Sequence, residues 1–169
     1  MDMLEGFYVG LSMKAPFGGV YVHRQMTGKV VVGAAFEDQR SLKAVLDNLK
    51  PEIKNQLGNE DFYVLLEDTP ATDRLERLVY DTLGTCAQTV FVPMEVCRQS
   101  LEALIPIAGG TSKLEIDSTR PGAKMINDAL LKATLGGVYD ALALVAYQIE
   151  LHFPPRRIQK SWVDKPWYE

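Results

Sequence analysis

Leu42, Val45, Leu46, Leu49 and Ile53 recur at the spacing of one helical face, which predicts an amphipathic helix capped by Asp38 and kinked or divided at Pro51. Leu75, Leu78, Val79 and Leu83 repeat the pattern behind Thr69-Pro70, a helix start, with Gly84 as the stop. Val96, Cys97, Leu101, Leu104 and Ile105 form a third stripe, opened after Pro93 and ended by Pro106. A fourth helix is expected from near Pro121 through Ile126, Leu130 and Ala133.

Between these stripes the pattern changes to short apolar runs. The segments 20–24 and 29–36 flank Met26-Thr27-Gly28 and read as an antiparallel hairpin, with the unbroken Val30–Val32 asking for cover on both faces. Residues 61–68 and 88–92 read as further strands, and 113–117 as a short one. Residues 1–15 fit either a helix or a strand. The elements add up to an α/β fold: a mixed central sheet of four to five strands with helices packed on it, beginning with a β-hairpin and ending with a long apolar helix or helix pair.

The segment 129–149 is apolar on more than one face, so it demands cover from the sheet and from neighbours. Its length invites a membrane-spanning reading. Lys132, Asp140 and Gln148 interrupt it, however, and Gly136-Gly137 divides it, so a buried helix without a membrane is expected. Its centre, KATLGGVY at 132–139, repeats KAPFGGVY at 14–21, and paired glycines would let the two backbones approach each other or their copies in a second subunit.

Residues 1–153 read as a single α/β domain, and 154–169 as a Pro/aromatic/basic C-terminal tail packed on the domain or on a partner. Formal charge is -4 and the pI about 5.3, which removes any overall pull toward polyanions and disfavours nucleic acid as a partner. Cys86 and Cys97 form no CxxC pair, and the acidic start MDMLEGF lacks the basic character of an export leader. Both features suit a cytoplasmic protein with reduced thiols.

Candidate chemistry is sparse. His23, Glu67 and Asp68 are candidates for general acid-base work, the two acids because they end a predicted central strand, where ligand crevices form in open sheets. Gly109, Gly110, Thr111, Ser112 and Lys113 offer amides, hydroxyls and an ammonium to a small anionic ligand, without the spacing of a P-loop. Tyr139, Arg156, Arg157, Trp162 and Trp167 are interface candidates, since arginine and large aromatics anchor protein contacts. Asp140 reads as part of an exposed stripe with Asp128 and Lys132, or as a buried carboxylate held by a partner such as Lys132. The pattern of His, Cys and acidic residues carries no metal-binding motif and no cofactor fingerprint.

These features point to a non-catalytic ligand-binding, regulatory or assembly domain acting as a homo-oligomer. The rival is a small cofactor-independent enzyme acting on a polar or phosphorylated metabolite by general acid-base catalysis, in which His23, Glu67 or Asp68 and Lys113 meet in one crevice. A third reading is a nucleic-acid-binding module that uses the basic aromatic tail. The sequence does not settle whether the protein is an enzyme.

Overall fold

The computed structural model describes residues 4–13, 16–25, 29–58, 60–70, 72–84, 86–104, 114–116, 118–132 and 136–152. Six strands form one mixed sheet: β1 (Leu4–Ser12), β2 (Phe17–Gln25), β3 (Val30–Asp38), β4 (Phe62–Glu67), β5 (Ala87–Val92) and β6 (Leu114–Ile116), in the order β5-β4-β1-β2-β3-β6. The first three make an antiparallel meander. β4 runs parallel to β1, β5 parallel to β4, and β6 parallel to β3. The expected hairpin is β2 with β3, and the ambiguous N-terminal stretch supplies β1, the strand that joins the meander to the parallel half.

Strand side chains alternate between faces, and the core divides accordingly. Phe7, Val9, Leu11, Tyr21, Val64 and Leu66 face α1 (Leu42–Leu57) and α2 (Thr72–Leu83). Tyr8, Val20, Val22 and Leu65 face α5 (Gly137–His152), with α3 (Met94–Leu104) and α4 (Ala123–Lys132) on the same side.

All five apolar positions of the 42–53 stripe are buried. Burying each such side chain stabilises by roughly 1.5–3 kcal/mol. The cap differs from the expectation: the Ser41 hydroxyl accepts from Ala44 N–H at 3.2 Å, while Asp38 accepts from the Arg40 and Ser41 amides at 2.8 Å each. Asp38 therefore shapes the turn before the cap, a familiar alternative use of a short carboxylate. Pro51 lies inside α1 without dividing it, because Leu49 and Ile53 on either side remain anchored in the core.

The apolar surplus of α5 is covered within this chain, while Leu131 at the end of α4 stays exposed. Residues Val138 to Ala146 of α5 are all buried, between the sheet and α3. No single helix among the described residues is long and apolar enough to cross a membrane. Gly136 precedes the helix and Gly137 opens it, at φ 87° and 56°, in the left-handed region that favours glycine.

Two sheet glycines set how close α5 can come. A Cβ on Gly10 would stand 2.0 Å from the Ala141 carbonyl oxygen, and one on Gly18 2.2 Å from the Gly137 carbonyl carbon. The two GGVY phrases thus meet inside one subunit, Gly18 of the first against Gly137 and Val138 of the second.

Beyond the short β6, the loop leading into α4 follows β3. Ala35 N–H donates to the Pro121 carbonyl at 3.0 Å, and Arg120 Nε donates to the Gly33 carbonyl at 2.8 Å. Arg120 Nη2 also reaches the Tyr21 hydroxyl at 2.9 Å and Glu52 Oε1 at 2.5 Å. Burial pushes the Tyr21 phenol up from its ordinary value, against the opposing pull of the guanidinium.

Candidate functional site

From β1 the chain turns to β2 on one side of the sheet; from β4 it crosses through α2 to β5 on the other. The topology therefore switches between β1 and β4, and in open α/β sheets the ligand crevice forms outside the carboxyl ends of the strands at such a point. Those ends carry Ser12 and Glu67. Leu11 is the partner of Leu66, so the two side chains one residue further lie next to each other, and strand alternation turns both toward the α5 face.

Asp140, in the first turn of α5, comes down on the same edge because the glycines beneath admit the helix so closely. Its carboxylate is nearly enclosed, at 5% exposure, and Arg98 of α3 grips it with two parallel bonds: Nε to Oδ1 at 3.1 Å and Nη2 to Oδ2 at 2.9 Å. This fork-to-fork pairing is the strong form of a charge-assisted contact. It raises the Arg98 guanidinium further above its already high value, with Glu67 among the charges that contribute.

Cys97, beside Arg98, donates its thiol to the Pro93 carbonyl at 3.1 Å, and burial foremost, then the Glu67 charge, pushes it up to about 12. It is a neutral wall of the site and not a nucleophile. At the neighbouring edge Glu37 Oε2 accepts from Val138 N–H at 2.9 Å, placing a carboxylate at the positive end of α5. The result is an edge where Ser12, Glu67, Arg98 and Asp140 converge, with Glu67 half-buried and Asp68 exposed just outside.

Of the acid-base candidates, the structure brings Glu67 and Asp68 to this edge and leaves His23 elsewhere. His23 sits on β2 opposite Phe7 and Val31. Phe7 is five positions from Ser12, roughly 16 Å at the rise of a strand. Tyr139 is buried in this chain's own core at 6% exposure. Asp140 is neither exposed nor held by Lys132, which is itself exposed; its partner is Arg98. Gly109, Gly110, Thr111, Ser112, Lys113, Arg156, Arg157, Trp162 and Trp167 lie outside the described residues.

Sequence reasoning missed Ser12 and Arg98. Ser12 ends the stretch that fits two secondary structures, and the Arg98–Asp140 pair spans 42 positions with no local signature. The available signal was a lone carboxylate in an apolar helix, which requires a cation from somewhere. Among the described residues no three His, Cys, Asp or Glu side chains are grouped to hold a metal ion. Both Asp140 oxygens are engaged by Arg98.

No protein-family model and no curated protein matches the sequence. The fold, in contrast, is similar to that of Fowlpox virus resolvase, solved with its substrate Holliday junction DNA: TM-score 0.50 at 12% identity, covering 87% of this chain and 99% of that one. A yeast mitochondrial Holliday junction resolvase aligns at TM-score 0.45 and 7% identity, over 96% of this chain and 86% of that one.

The viral likeness corrects two expectations. The chain shares its fold with a resolvase solved with Holliday junction DNA, and that likeness goes against the reading of a non-catalytic ligand-binding, regulatory or assembly domain and the reading that nucleic acid is disfavoured as a partner. The physical reasons are visible. The apolar excess of α5 is spent inside the subunit and so gives no ground for an assembly role. A net charge of -4 describes the whole surface and says nothing of one crevice.

Proposed function

We propose that this protein binds branched DNA and acts on its phosphodiester backbone at the crevice outside the carboxyl ends of β1 and β4. The observation that carries the reading is the sheet order, with a polar cluster at its switch point, in a fold shared over nearly the whole length of a resolvase solved with a four-way junction. Glu67 is the base: partly accessible and beside the enclosed Arg98–Asp140 pair, it takes the proton of an attacking water. The water oxygen bonds to phosphorus as one bridging P–O bond breaks, and the leaving oxygen takes a proton from solvent. Arg156, Arg157, Lys160 and Lys165, interleaved with Trp162 and Trp167, add charge and stacking surface for the arms of the substrate.

The test is a comparison of a four-way junction with duplex and single-stranded DNA of equal length, for binding and for strand cleavage. The junction should bind most tightly, and Glu67→Gln should keep that binding while losing cleavage by about a hundredfold or more. Equal affinity for all three DNAs, or full cleavage by the Gln variant, would refute the proposal.

A further inference from the structure

We infer that Arg98 is the group that receives a DNA phosphate at this edge, and that Asp140 is its positioning residue and not itself a reacting carboxylate. The inference rests on the DNA reading above and deepens it. A guanidinium has five N–H donors in a rigid fork. Asp140 engages Nε and one hydrogen of Nη2, which leaves both hydrogens of Nη1 and the second of Nη2 on the outer edge.

Exposure shows which way that edge points. The Arg98 side chain is 32% exposed and the Asp140 side chain 5%, so the carboxylate is the enclosed half of the pair and the guanidinium the half that opens outward. A cation held this way loses little rotamer freedom when a second anion arrives, which makes it a preorganised phosphate contact. The same edge bears Glu67 and the exposed Asp68, which repel a phosphate. A fixed guanidinium near Glu67 gives the backbone a defined seat and brings a bridging P–O bond toward that carboxylate.

Two double variants test this while leaving the net charge of the protein unchanged: Arg98→Met with Asp140→Leu, and Arg98→Gln with Asp140→Asn. Replacing a buried ion pair by an apolar pair of similar volume is commonly neutral or stabilising, and the amide pair covers the case in which the apolar one does not fold. The readout is the dissociation constant for a four-way junction, measured from about 50 to about 200 mM salt, the range over which phosphate contacts register.

The expected result is binding weaker by roughly tenfold at the lower salt, with a salt slope shallower by about 0.9, the signature of one lost phosphate contact. A folded double variant that binds with wild-type affinity and slope would make the pair purely structural and overturn the inference. Wild-type protein that binds no junction would instead overturn the DNA reading itself, so the two failures are distinguishable.

Discussion

The two faces of the sheet solve the same packing problem with different materials. On the α1/α2 face the strands meet amphipathic helices, and the contact is made by interchangeable apolar bulk, including the stacked rings of Phe7 and Tyr21 at 5.0 Å. On the α3/α5 face the helix backbone itself rests on glycine, and Ser12, Ser100, Asp140 and Gln148 are buried there, against Thr82 on the other side. The first face can be repacked within volume limits. On the second the helix backbone leaves no room for a Cβ at Gly10 or Gly18, and it is the face that bears the candidate site. Both faces carry apolar core, but one is set by side-chain bulk and the other by contact of helix backbone with strand backbone.

The contrast breaks most directly at the glycines. Gly10→Ala should cost about 3 kcal/mol or more, because the new methyl meets the Ala141 carbonyl, which cannot rotate away. Gly19→Ala, on the opposite face, meets the ends of Val45 and Leu49, which can shift, and should cost about 1 kcal/mol. Urea unfolding of both variants measures the gap; equal losses would remove the distinction between the faces.

Arg98→Ala sharpens the polar half. It strands the enclosed Asp140 carboxylate, and the expected loss is about 2–3 kcal/mol, below the figure for a fully buried pair because solvent reaches the guanidinium. Restoring half or more of that loss by adding Asp140→Leu would show that the cost is the stranded charge; no restoration would count against it.

The smallest effect is a pH dependence. The Cys97 thiol is raised from 9.0 to about 12, so between those values the unfolded chain loses a proton that the folded chain keeps. Stability from this group is fully present below pH 9 and is lost as pH rises toward 12, about 1 kcal/mol of it between pH 9 and 10. Cys97→Ala should flatten that part of the curve, and an unchanged slope would dissociate Cys97 from it. The raised phenol of Tyr21 acts in the same direction at higher pH and is untouched by this variant.

Much of the fold was legible because apolar periodicity reports burial directly. The 42–53 stripe is buried at all five positions, and the strand at 62–67 is interior to the sheet, as its unbroken apolar run implied. Pro93 stands directly before α3, and the short strand near 113–117 is β6. The stretch 4–12 was ambiguous because Gly6 and Gly10 interrupt its apolar alternation, and Gly10 is there for the helix above it and not for the strand. Glu67 could be placed at a strand end from sequence. Its neighbours could not, because Ser12, Arg98 and Asp140 come together through three different elements, and only the strand order brings those elements to one edge.

The closure of β3 bears on how the molecule behaves among copies of itself. A nine-residue outer strand with free amides and carbonyls is a template on which another chain can add. Here β6 pairs only with Val30, Val31 and Val32, after which Arg120 and Pro121 take the Gly33 carbonyl and the Ala35 amide, while Lys29 and Glu115 bridge the start at 3.1 Å. The border is sealed by three strand residues, one loop and one arginine. Among the described residues the outermost strand on this side is the three-residue β6, and so short an edge is a poor template for strand-by-strand aggregation.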